Sequence, residues 1–155
     1  MNTETTYDSR PDTVAHINRV RELIEVATDN LYNRATVHDA SKLEEPEKST
    51  FDACTAKLKA MAYGSDEYKA AIAELKPALD HHYKANSHHP EFYENGVDGM
   101  SLFDVVEMLL DWKAATERMK GGGDIRRSLE INTDRFKLSP QLASILANTI
   151  REMKW

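Results

Sequence analysis

Cysteine is almost absent from this chain: Cys54 stands alone in 155 residues. It has no partner for an internal disulfide, so the fold is expected not to need an oxidising compartment, and the cytoplasm is the expected location. Basic residues are in the minority, with 20 Lys and Arg against 26 Asp and Glu, a net charge of −6. That balance argues against general nucleic-acid binding, which needs basic surface to displace phosphate counterions. No apolar run approaches the ~20 residues that span a bilayer, so no membrane partner is expected. The first ten residues are polar and acidic, without the basic start and apolar stretch of a secretory signal. Internal repeats and low-complexity blocks are missing too, and nowhere does a two-residue apolar alternation persist as a strand would require. What remains, 41% apolar with 30% charged residues, is the composition of a globular chain.

The apolar spacing is helical nearly throughout. After Pro11 and Asp12, the residues Ile17, Val20, Ile24, Ala27 and Leu31 recur at steps of three and four and form one stripe, with His16 at its edge. A second helical segment carries Phe51, Cys54, Leu58 and Met61 and is expected to end at Tyr63-Gly64. Ser65 opens a third, with Tyr68, Ile72, Leu75 and Leu79 inward. Pro77 predicts a kink or break in it, and the text from His82 to Gly99 is loop-like. Ser101 with Asp104 reads as a capping box ahead of Val105, Val106, Met108, Leu109 and Trp112. Beyond Gly121-Gly122-Gly123, Asp124 caps a short helix with Ile125 and Leu129. Ser139-Pro140 starts a last one with Leu142, Ile145, Leu146, Thr149 and Ile150 inward. The expectation is an all-α bundle of about five to seven helices: a tail over residues 1–12 and a single helical domain over 13–155.

The six histidines fall in three places: His16, then His38 beside Asp39, then His81-His82 with His88-His89. Consecutive His and Asp at a change of chain direction can both reach one point when they flank it closely, and a metal ion about 2 Å from each donor is the usual reason for such a pair. Glu107 and Asp111, four apart, share one face of an otherwise apolar helix. A carboxylate in those surroundings is costly unless paired, hydrogen-bonded or bound to metal. Glu44, Glu45 and Glu47 form an acidic run that loads a helix start, and one of them could orient an imidazole.

The order His, His-Asp, further His, then Asp resembles the HD-domain superfamily of metal-dependent phosphohydrolases. Within it, HDASKLEEPE (38–47), HHYKANSHHPEFYENG (81–96) and EMLLDWKAAT (107–116) resemble small HD-like proteins of phages and bacteria. The resemblance spans roughly residues 13 to 137. It implies a divalent ion (Mn, Co, Ni, Mg, Zn or Fe, one or two per chain) held by His16, His38, Asp39 and Asp111, with His82 and His89 as further ligands. This chain has two close histidine pairs where typical dinuclear members use separate helices, so the choice among His81, His82, His88 and His89 stays open. The implied chemistry is phosphate hydrolysis through a metal-activated water. In it, Glu107 is the general base, Lys42 neutralises substrate phosphate, and protonated His88 assists the leaving group. The expected partner is a small phosphorylated metabolite, a nucleotide first of all, and a homodimer is consistent with the apolar last helix. The alternatives are an HD-like di-iron oxygenase and a non-catalytic nucleotide- or metal-binding regulator.

Overall fold

The computed structural model describes residues 7–60, 66–118 and 123–155. Among them it is all-α, with six α-helices and no strand: α1 (Arg10–Val37), α2 (Glu47–Ala60), α3 (Asp66–Ala85), α4 (Leu102–Glu117), α5 (Ile125–Phe136) and α6 (Pro140–Glu152). Short 3-10 turns lie at Ala40–Leu43, Pro90–Phe92 and Gly96–Gly99. The expected helix end at Tyr63-Gly64, the start at Ser65, Met61 and Gly121-Gly122 lie outside the described residues, as do the side chains of Leu58, Tyr68 and Ile72.

The chain divides into two compact units, Met1–Thr36 and Val37–Trp155. The first holds nearly all of α1, none of whose residues is buried. In the second, α2 packs on α3, burying Cys54 of one and Ala71, Leu75 and Ala78 of the other. Helices α4, α5 and α6 share a second cluster of Val105, Met108, Leu109, Ile125, Leu129, Leu146 and Ile150, joined by Leu138. Trp112 stacks on Phe136 at its border, with ring centroids 6.1 Å apart. Full burial of side chains such as Met108 and Ile150 stabilises by about 1.5–3 kcal/mol each.

Local signals in the sequence are realised where the backbone demands them. Ser101 accepts from the Asp104 N–H while Asp104 accepts from the Ser101 N–H, closing the capping box at α4. Asp124 caps α5 through the Arg126 N–H, and Ser139 caps α6 with Pro140 in its first turn. The break expected at Pro77 does not occur. Proline cannot donate to the preceding turn, but Leu75 and Ala78 on either side are buried in the α2–α3 contact, and α3 runs through to Ala85. His81 and His82 are therefore on a helix, and the loop begins after them.

Asp104 does more than cap. Its carboxylate also accepts from Ser87 Oγ at 2.7 Å and from the Tyr93 hydroxyl at 2.8 Å, so it ties both ends of the segment carrying His88 and His89 to α4. Gly99 permits this: a Cβ there would meet Tyr93 Cβ at 2.8 Å. Burial alone would raise the Asp104 carboxyl, but bonds from Ser101, Ser87 and Tyr93 outweigh it and hold the group well below the usual carboxylate range. Asp104→Ala should thus lower folding stability by about 2–3 kcal/mol, measured by urea unfolding near neutral pH. Because the folded-state value is depressed, this contribution is present above the ordinary carboxylate pKa and lost as pH falls through the folded one. The gap between wild type and variant should narrow in acid; a gap that widens there would show that Asp104 is not held as its ion.

Candidate metal centre

Seven side chains of the second unit converge from four segments. His38 and Asp39 follow α1, His82 lies in the last turn of α3, and His88 and His89 sit in the loop before Pro90. Glu107 and Asp111 come one turn apart on α4. Their donor atoms form three overlapping groups, each with all atoms within 4.8 Å of one another: Asp39–His82–His88–His89, His38–His88–Glu107 and His38–Asp39–Asp111.

Asp39 is the pivot, and its backbone explains how. It adopts the left-handed conformation (φ 56°, ψ 14°), which turns the chain sharply between α1 and the 3-10 turn. Asp is one of the few side chains that visits this region readily. The reversal is accompanied by His38 and Asp39, neighbours in sequence, both meeting Asp111. Asp39 Oδ2 accepts from Lys42 Nζ at 2.6 Å and lies 3.7 Å from His38 Nε2. Asp39 Oδ1 faces His82 Nε2 at 3.2 Å and His88 Nε2 at 3.5 Å.

The imidazoles are held from behind. A carboxylate can only accept, so His38 Nδ1 donates to Glu107 Oε1 at 2.8 Å, and His88 Nδ1 lies 3.1 Å from the same oxygen. His82 Nδ1 lies 3.0 Å from Glu47 Oε2, and the ring is 1% exposed. His82 Nε2 and His89 Nε2 stand 2.9 Å apart. The His38 and His88 rings are 4.5 Å apart, those of His88 and His89 4.1 Å. Each Nδ1 anchored in this way leaves its Nε2 for the centre.

Two buried atoms of the centre have no hydrogen-bond partner: Asp39 Oδ1 and His88 Nε2. They face one another, with His82 and His89 beside them. A buried polar atom left unpaired costs about 1–3 kcal/mol, and a cation between the two would satisfy both. The donor set of three imidazoles and a carboxylate fits Zn, Fe, Mn, Co or Ni.

The electrostatics follow from this crowding. Asp111 lies beside His38 and, with Glu107 and Asp39, raises that imidazole to about 9 against the opposing effect of burial. A proton on His38 thus answers the surrounding negative charge. Burial opposes ionisation of Asp39, but His82, His88 and Lys42 outweigh it and hold the carboxyl well below its ordinary range. His89 is pushed down to about 3, first by burial and then by His88 and His82.

Of the expected ligands, His38, Asp39, His82, His89 and Asp111 come together. His16 lies on α1 in the first unit, is exposed, and belongs to none of the three groups. His88, expected to serve the leaving group, is 2% exposed with Nε2 turned to Asp39, the placement of a ligand. Glu107, expected as the base, has one oxygen facing two imidazoles. Lys42 is paired with Asp39 and lies 5.7 Å from the centre of the Phe51 ring. His81 stands outside the three groups. Sequence reasoning missed Ser41 and Asn86, which surround His82 Nδ1 at 3.2 and 3.0 Å. Their signal was only their proximity to the histidines, Ser41 beside His38-Asp39 and Asn86 four residues after His82.

Residues 5–152 match the family described as Family of unknown function (DUF5662). The chain belongs to that family. No curated protein and no solved structure matches the chain.

Glu107→Ala removes the acceptor that the buried His88 and half-buried His38 both face. It should cost about 2–3 kcal/mol of folding stability in the metal-free protein, read by urea unfolding. A loss under about 1 kcal/mol would place Glu107 among ordinary surface ion pairs instead.

Proposed function

We propose that this chain is a metal-dependent phosphohydrolase of HD type, acting on a small phosphorylated metabolite, with nucleotides as the leading substrate class. The observation that carries the reading is the pair of unpartnered buried atoms, Asp39 Oδ1 and His88 Nε2, facing one another among further imidazoles. The resemblance of the segments around His38-Asp39, His81–Gly96 and Glu107–Thr116 to HD-domain phosphohydrolases supplies the reaction class.

In this reading Asp39, His82, His88 and His89 hold one ion, and His38 and Asp111 complete the centre on the other side of Asp39. A divalent ion there would lower the pKa of a water and polarise a phosphoryl oxygen. Glu107 orients His38 and His88 through their Nδ1 atoms, so its part is to aim ligands rather than to take a proton from water. Lys42 keeps a positive charge beside the centre, where it can meet substrate oxygens as a point charge. The net charge of −6 is no obstacle to an anionic substrate, since an ion in the centre sets the local field. The compartment in this reading is the cytoplasm; no helix of the described residues is long and apolar enough to cross a membrane.

The test is the metal content of protein purified without chelator, followed by phosphate release from a nucleotide panel on the same sample. Stoichiometric divalent metal with phosphate released from one nucleotide class is the expected result. Two irons per chain without phosphate release would replace the hydrolase with the di-iron oxygenase. Nucleotide that binds and persists unchanged would leave a regulator. His38→Ala and Asp39→Ala should each abolish stoichiometric metal binding while the far-UV helical signal is kept. Asp111→Asn should remove turnover with weaker metal retention.

A further inference from the structure

Glu47 is the most deeply buried acid in the described chain, 0% exposed, and it belongs to none of the metal-ligating groups. It opens α2 from a run of three glutamates, Glu44, Glu45 and Glu47, whose other members are exposed. Its two oxygens are shared between consecutive histidines: Oε1 lies 2.7 Å from His81 Nδ1 and Oε2 3.0 Å from His82 Nδ1. Adjacent residues on a helix point about 100° apart, so only a group seated between them can reach both rings.

Proton counting shows what this does to His82. Three groups approach its Nδ1: Glu47 Oε2, Asn86 Nδ2 at 3.0 Å and Ser41 Oγ at 3.2 Å. The Asn86 amide has two hydrogens, and two better acceptors take them, the His82 carbonyl at 2.8 Å and Ser41 Oγ at 2.9 Å. Ser41 Oγ accepts from Asn86 and keeps one hydrogen of its own to give. The two oxygens of a Glu47 carboxylate can only accept from the ring nitrogens they face. Glu47 Oε2 is thus the acceptor at Nδ1, and Asp39 Oδ1 lies 3.2 Å from Nε2 on the other side of the ring; a metal bound at Nε2 leaves the ring hydrogen on Nδ1, facing Glu47.

We infer that Glu47 is the positioning residue that sets the tautomer and ring orientation of His82, and so the metal affinity of the centre. The inference rests on the metal-binding reading above. Glutamine at this position cannot accept from both rings with both of its terminal atoms. Its amide nitrogen would donate to one Nδ1, and where that ring is His82 the hydrogen is driven to Nε2, blocking the ligand atom. Outer carboxylate partners of ligating histidines commonly change metal affinity by about 10–100-fold.

The experiment titrates Co2+ into wild type, Glu47→Gln and the control Glu45→Gln against a competing chelator, with the visible cobalt bands recorded throughout. Glu45 accepts from Ser49 and faces none of the histidines, so its variant should match wild type. Glu47→Gln should bind about 10–100-fold more weakly with altered bands, a change in ligand geometry that a merely structural role would not produce. Equal affinity and unchanged bands would overturn the inference and leave the metal reading standing. Wild type that binds no Co2+ would overturn both. If Glu47→Gln does not fold, nitrogen NMR of the histidine rings in Zn2+-loaded wild type still decides. Metal on Nε2 with Nδ1–H on His82 is expected, and metal on Nδ1, or a His82 ring that binds no metal, overturns the inference.

Discussion

Imidazole lone pairs and carboxylate oxygens do not attract one another, yet this chain gathers them at contact distance around Asp39 Oδ1. Four carboxylates, from Asp39, Glu47, Glu107 and Asp111, stand in or directly behind the group, with Lys42 paired to one of them. Ring N–H groups answer the outer carboxylates, and positive charge must answer what is left. In the metal-free chain part of that charge is the Lys42 ammonium and part the proton on His38. The rest of the second unit serves to keep these groups from moving apart.

The fold supplies the restraint at three points. The α2–α3 contact seats Glu47 against His81 and His82. The α4–α5–α6 core fixes the helix from which Glu107 and Asp111 project. Asp104, buried at the start of that same helix, grips Ser87 and Tyr93 on either side of His88 and His89. A side chain that caps a helix and also clamps a histidine-bearing loop couples α4 stability to the geometry of the centre. Chemistry of this kind depends on sub-ångström placement, and here the placement is made by buried polar bonds rather than by the apolar core alone.

Much of this was legible in the residues because it rests on local rules. The capping box of α4 and the start of α6 depend on neighbours within four positions, and His38-Asp39 announces itself as consecutive donors. What was not legible depends on how far elements extend and which units they join. Pro77 suggested a kink or break in α3, with loop from His82 onward. Burial of Leu75 and Ala78 against α2 carries the helix past it, and that places His82 inside and leaves His81 at the edge. Glu44, Glu45 and Glu47 are alike as text, and only the direction in which α2 leaves the 3-10 turn selects Glu47. His16 looked like a ligand through its order relative to His38; the division of the chain at Thr36 puts it in a different unit from the centre. Glu107 was expected as a base from its spacing with Asp111, and that its one oxygen faces two imidazoles depends on rings distant in sequence.

The left-handed backbone at Asp39 also bears on how this centre can change over time. Two independent filters act on that one position: the chain must tolerate a positive φ, and the side chain must be a short anion. Asparagine and glycine pass the first filter and fail the second, whereas glutamate passes the second and bears the backbone cost. Aspartate alone passes both, so no single substitution at this position keeps both the turn and the charge. Under the metal-binding reading proposed above, a lineage that abandons the ligand is free to keep the turn, and its metal-blind descendants would carry asparagine or glycine where this chain has aspartate.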